Sequence, residues 1–208
     1  EEDTLSYLSL GDQHREAKEF LEAISAYQLA LIEDPQNQMA RFELAMVQYK
    51  VGETQEAIQS YKKVLQINPT LWQAEMNLGI IWLNQKNLAQ ALDHFKRALV
   101  LNPKHSGLLF LAGQVYLLQE DSDAAEDSFI EALEHSKKDT EKVEIHPMLV
   151  SIYMKKKDYM RAAQHLVKSR PSAKNKQKVD RQLAGILLDL NQGEEALHYL
   201  ENLANQPS

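Results

Sequence analysis

Small, apolar and polar positions recur along this chain at a fixed interval of 34 residues. Alanine stands at Ala23, Ala57, Ala91 and Ala125, and after a slip of three residues the spacing resumes at Ala162 and Ala196. Aromatics run in step at Tyr27, Tyr61, Phe95 and Phe129, with Leu166 and Leu200 in that place later. An apolar residue followed by a small one recurs as Leu10-Gly11, Leu44-Ala45, Leu78-Gly79 and Ala112-Gly113, then as Leu149-Val150 and Leu183-Ala184. The interval is punctuated by Asp34-Pro35, Asn68-Pro69 and Asn102-Pro103. Proline pushes the residue before it out of the α region, so each pair predicts a helix end. A period of this length marks stacked supersecondary units. One such unit cannot bury its own apolar face and must pack on its neighbours.

Composition makes the units helical. Among 208 residues there are seven glycines and six prolines, few for a fold full of turns. Leu, Ala, Glu, Gln and Lys dominate, all good helix formers. With 44% apolar residues a core can be buried, and the fold class expected is all-α.

These residues resemble the tetratricopeptide repeat family over almost the whole length. The resemblance places repeats at 4–37, 38–71, 72–105, 106–139, 143–176 and 177–208, in a single solenoid spanning 4–208. The last two are degenerate: Lys174 stands where proline would close the fifth, and Leu203 where a small residue is usual in the sixth. The family implies two antiparallel helices, A and B, per repeat, and a right-handed superhelix with the A helices lining its concave side. Gly11, Ala45, Gly79 and Gly113 would let helix B approach helix A, while the aromatics fill the space between repeats. The extra residues at 137–142 are expected to lengthen a turn, and 170–178 to form a polar loop between helices.

Chemistry is sparse. The chain has no cysteine, which removes disulfides and thiolate sites. It has no P-loop, dinucleotide-binding glycine pattern or metalloprotease histidine pair. No two of the seven histidines lie three to five residues apart. Asp121, Asp123, Glu126 and Asp127 cluster without the glycine turn of a cation loop and read as charges on a helix N-terminus. No enzyme activity, cofactor, metal or small-molecule substrate is expected.

Charge separates the regions. Residues 1–154 carry 13 Lys and Arg against 24 Asp and Glu, a net −11; residues 155–181 carry 10 against 2, a net +8; residues 182–208 carry none against 4. An acidic body disfavours nucleic acid, whose phosphates it repels. The basic segment reads mainly as a solvated face, with an anionic-lipid or nucleic-acid contact as its functional reading. No apolar run approaches the roughly 18 residues of a membrane span. The chain begins at Glu1 rather than Met, read as a trimmed or mature start, so membrane contact is expected only through an upstream anchor. Compartment stays open between cytoplasm and periplasm.

The resemblance implies that variable A-helix residues meet a protein or peptide partner. Those positions form an apolar groove of Phe42, Met46, Tyr49, Met76, Ile80, Leu83, Phe110 and Leu117, with Asn77 and Gln114 among them. The fifth and sixth repeats add Met148, Ser151, Met154, Lys155, Lys178, Arg181, Gln182 and Leu188. A contiguous exposed apolar strip usually marks an interaction site. Part of the family clamps chaperone C-terminal carboxylates with Lys, Asn and Arg, but the matching residues here are Leu8, Asp12, Glu43, Gln73 and Asn77. The acids among them would repel such a ligand. The function expected is a non-catalytic adaptor or scaffold for complex assembly. The alternatives are a self-assembling homo-oligomer and an accessory domain of a larger secretion or envelope-assembly protein.

Overall fold

The structure, a computed structural model, describes residues 2–173 and 175–204, with side chains described at all of these except 2, 172 and 202–204. Lys174 and the side chain of Leu203 therefore lie outside the described residues. Those residues form twelve α-helices and no strand, and the six antiparallel pairs fit six repeats. They divide into two compact units, residues 1–103 and 104–208. The first holds α1 (Glu2–Glu16), α2 (Phe20–Glu33), α3 (Gln38–Val51), α4 (Thr54–Ile67), α5 (Trp72–Asn84) and α6 (Leu88–Leu101). The second holds α7 (Ser106–Leu118), α8 (Ser122–His135), α9 (Asp139–Lys155), α10 (Tyr159–Ser169), α11 (Lys176–Asp189) and α12 (Gly193–Ala204). None of these helices is long and apolar enough to cross a membrane.

Each pair closes on a residue in the left-handed region: Lys18, Gly52, Lys86, Glu120, Lys157 and Asn191, with φ between 57° and 92°. The chain then turns back and the B helix begins. At the B-helix ends the Asx side chain shapes the exit through proline. Asp34 Oδ1 accepts from the Gln36 amide at 3.0 Å, and Asn68 Oδ1 accepts from the Thr70 amide at 3.1 Å. This two-residue reach is the Asx turn, which explains why Asp or Asn precedes the proline.

Inside a pair the small A-helix residue lies under the B-helix ring. A Cβ added at Gly11 would meet Tyr27 Cδ1 at 2.6 Å, one at Gly79 would meet Phe95 Cε1 at 2.5 Å, and one at Gly113 would meet Phe129 Cε1 at 2.7 Å. In the first unit the rings of Tyr27 and Tyr61 also bridge to the next repeat. Tyr61 sits in one cluster with Ala57 and Val64 of its own helix and with Ala74, Leu78 and Ile81 of α5. Tyr27 packs with Leu44 and Val47 of α3.

The inserted residues do not lengthen a turn as expected. α9 starts at Asp139 and runs for 17 residues, against 13 in α7, so most of the insertion is helical. The expected loop at 170–178 is also shorter, since Arg170–Ser172 form a 3-10 turn and α11 begins at Lys176. Asn175 caps α11 by accepting from the Lys178 amide at 2.9 Å.

Candidate partner-binding groove

In the first unit, α1, α3 and α5 line one groove of about 570 Å³. Met46, Tyr49, Asn77 and Ile80, all expected from the sequence, line it, joined by Arg15, Val47, Lys50 and Tyr61. Met76 and Leu83 are half-buried on α5 and do not line this groove. Phe42 is also half-buried and does not line the groove; its ring stands edge-on to Tyr61 at 5.5 Å. Two amide side chains hold the wall. Asn77 Nδ2 donates to Tyr61 Oη at 2.9 Å, tying α5 to α4, and Asn84 Nδ2 donates to Tyr49 Oη at 2.6 Å, tying α5 to α3. Burial pushes the Tyr61 hydroxyl well above its ordinary range, so it stays neutral.

One end of the groove is polar. Tyr27 Oη donates to Asp12 Oδ1 at 2.8 Å and accepts from Arg15 Nε at 3.3 Å. Arg15 also stands 3.4 Å from Glu43 Oε2. Burial raises the Glu43 carboxyl, Arg15 opposes that, and Asp12 adds to it. Arg15 was missed in the sequence because its position in α1 is not one of the expected contact positions; only the meeting of α1 and α3 brings it to Glu43. Lys50 lies over the Phe20 ring, 4.7 Å from its centroid.

In the second unit, Phe110, Gln114 and Leu117 are half-buried on α7, and the Phe110 ring lies 5.6 Å from Phe129. The ten expected groove residues are thus all half-buried, neither fully exposed nor core. In the fifth and sixth repeats Met148 is half-buried, while Ser151, Met154, Lys155, Lys178, Arg181, Gln182 and Leu188 are exposed.

The acidic group on α8 does more than sit at a helix start. Asp121 does cap the helix, accepting from the Ala124 amide at 3.1 Å. Asp123 and Glu126 both accept from Lys156 Nζ at 2.5 Å, and Glu126 Oε1 accepts from Arg161 at 2.6 Å. Burial pushes the Glu126 carboxyl up, but hydrogen bonds from Lys156 and Tyr153 and the charges of Lys156 and Arg161 hold it below its ordinary value. The histidines are also placed by tertiary packing. His14 meets Glu19 and His94 meets Glu75, both at 2.6 Å. His105 caps α7 by accepting from the Leu108 amide at 3.1 Å. His146 and His165, 19 residues apart, meet across α9 and α10 with their Nδ1 atoms 2.9 Å apart. Among the described residues no group of three or more His, Asp or Glu side chains could hold a metal ion.

Tetratricopeptide repeat family models match residues 8–71, 72–105 and 106–139. No curated protein matches the sequence. Among solved structures, the chain is similar to that of the functional characterisation of Pseudomonas aeruginosa pilF. The identity is 20% over 97% of this chain and 90% of that one, with a TM-score of 0.76. It is similar to MamA 41-end from Desulfovibrio magneticus RS-1, at 18% identity over 84% of this chain and 99% of that one, with a TM-score of 0.73. It is also similar to a chain of the APC/C hetero-tetramer Cut9-Hcn1, at 20% identity over 98% of this chain and 41% of that one, with a TM-score of 0.66. At these identities the likeness is one of fold. With repeat models covering residues 8–139 and six helix pairs of the matching architecture, the chain belongs to the tetratricopeptide repeat family.

Proposed function

We propose that this chain is a non-catalytic scaffold that holds a partner protein in the groove across α1, α3 and α5. The observation that carries the reading is the groove itself, about 570 Å³ walled by Met46, Tyr49 and Ile80 and held in shape by the Asn77 and Asn84 hydrogen bonds. Methionine adapts to varied apolar shapes. An amphipathic helix or extended apolar segment fits such a surface. Fully burying one of these side chains stabilises a complex by roughly 1.5–3 kcal/mol, and association and ordering costs remove much of the sum. The hetero-tetramer among the similar structures is an assembly of this fold with another protein, which supports the same class of function.

The test starts from the immobilised chain in native extract, with bound proteins identified by mass spectrometry. The purified partner is then titrated against wild type and Met46→Glu/Ile80→Glu by calorimetry. Affinity is expected to fall at least about tenfold, since two charges must enter an apolar contact, with helical circular dichroism unchanged. Equal affinity would take the groove out of the mechanism. Recovery of the chain's own second copy would give the self-assembling scaffold instead.

A further inference from the structure

The solvent face of α2 is apolar. Leu21, Leu29 and Ile32 are 66%, 41% and 71% exposed. Leu21 and Ile32 stand eleven residues apart, three helical turns, and Leu29 lies one turn before Ile32, so the three form one ridge. The repeat itself does not demand this. The matching positions are Gln55, Lys63 and Gln66 in α4 and Asp123, Glu131 and Glu134 in α8, while α6 is mixed, with Ala89, Arg97 and Val100. A single exposed leucine needs no account, but three on one ridge mark a contact surface. One edge of the ridge is acidic, since Glu22 and Glu33, also eleven residues apart, are both exposed.

A surface of the opposite shape lies in the unit of residues 104–208. There α10, α11 and α12 enclose a hollow of about 420 Å³, with Met160, Ala163, Val167, Leu183, Leu187 and Tyr199 in its lining. Met160 and Val167 are 47% and 46% exposed. Glu195 stands on its α12 side. The other edge of α10 is cationic. Arg161 lies there and donates to Glu126 of α8 at 2.6 Å, and Lys168 follows two turns later on the same edge. Arg161 also donates to Asp158 at 2.6 Å. Among the described residues Glu22, Glu33 and Lys168 form no ion pair.

We propose that the α2 ridge of one copy seats in the hollow of α10, α11 and α12 of a second copy, so that this chain associates with itself through surfaces other than the groove. The occupant is a second copy because both halves of the contact, apolar shape and unpaired charge, are present on this chain. Pairing α2 with the α2 of another copy would set Glu22 against Glu33, and like charges facing each other oppose association. Laid antiparallel on α10, α2 meets opposite charge instead. Antiparallel helices meet by equivalent edges, and Glu22 holds in the first repeat the place that Arg161 holds in the fifth. Glu22 then comes to Lys168 and Glu33 to Arg161, on the edge away from Glu195. An anionic vesicle surface is repelled by the same two carboxylates. Ridge and hollow are different surfaces, so the contact is heterologous and adds one copy after another. One helix in one hollow is a small interface, so the association is weak and grows with concentration.

The test is sedimentation equilibrium of the full chain at concentrations up to about 1 mM. Mass above that of the monomer is expected at the upper end. Leu21→Gln/Ile32→Gln gives α2 the residues that α4 carries at those places, and should weaken association about tenfold or more with helical circular dichroism unchanged. Met160→Gln/Val167→Gln should do the same from the other side. Mixed together, these two variants should form a one-to-one pair and stop there, since one keeps the hollow and the other the ridge. Glu22→Lys and Lys168→Glu should each weaken association several-fold, and both in one chain should restore it to within about twofold of wild type. Met46→Glu/Ile80→Glu should leave it unchanged, which separates this contact from the groove proposed above. A monomer at every concentration would overturn the inference. So would association that survives Leu21→Gln/Ile32→Gln, that is lost in the groove variant, or that the mixture fails to recover.

Discussion

The residues that decide most in this fold are those whose size or protonation leaves no alternative. Gly79 is small because the Phe95 ring occupies the place a Cβ would take. His165 is neutral because of where it is held. Burial lowers its pKa to about 4, with the charges of His146, Lys168 and Arg161 acting the same way and Glu126 opposing. Burial, Lys168 and Lys142 lower His146 as well, and the Tyr153 ring stacks on His165 at 5.5 Å. With Nδ1 atoms 2.9 Å apart, one ring donates and the other accepts; protonating both sets donor against donor. The unfolded chain takes up the His165 proton near its ordinary value of 6.5, the folded chain only near 4. Between these values the unfolded state binds more protons, so this contribution is complete above 6.5 and is lost as pH falls toward 4. His165→Phe keeps a ring against Tyr153 and should reduce the fall in Tm between pH 7 and pH 4.5 by about 3 °C or more. An identical fall in both proteins would clear His165 of any part in acid sensitivity.

At the scale of the element, the A-to-B turns are the shared joint. Six left-handed residues recur, yet glycine holds that position only at Gly52. A side chain in this conformation costs about 1 kcal/mol. A Cβ at Gly52 would meet nothing within 4 Å, so Gly52→Ala isolates backbone strain from packing. Gly52→Ala should lower Tm by about 3 °C. Lys86→Gly, which relieves strain but loosens the unfolded chain, should leave Tm unchanged or slightly higher. Thermal melts of both variants check this; a loss in Lys86→Gly as large as in Gly52→Ala would show that the turn conformation is not what limits these joints.

Across the whole molecule, stability in a repeat stack is a sum of repeat and nearest-neighbour terms. At least three repeats are needed for independent stability. The two compact units, residues 1–103 and 104–208, each hold three helix pairs. Fragments cut after Pro103 should therefore each keep a helical spectrum and a sigmoidal melt. A featureless melt from either fragment would show that it borrows its stability from the other.

The 34-residue recurrence of alanine, aromatic and Asx-Pro was enough to reach an all-helical repeat protein, because each of those residues answers a local demand. Alanine and glycine leave room, the ring fills it, and Asx-Pro ends a helix wherever the repeat is placed. Met46 and Ile80 were legible for a related reason, since they stand 34 residues apart on successive A helices, with Tyr49 and Asn77 each one helical turn from one of them. Periodicity alone does not tell a half-buried side chain that lines the groove, such as Met46, from one that does not, such as Phe42 against Tyr61. Nor does it show that an inserted stretch becomes helix, as residues 139–142 do in α9. The meetings of Arg15 with Glu43, Glu126 with Lys156 and Arg161, His146 with His165, and Arg170 with Asp180 were decided by tertiary structure. Each joins groups ten or more residues apart on different elements, where distance in space follows from how helices pack and not from spacing along the chain.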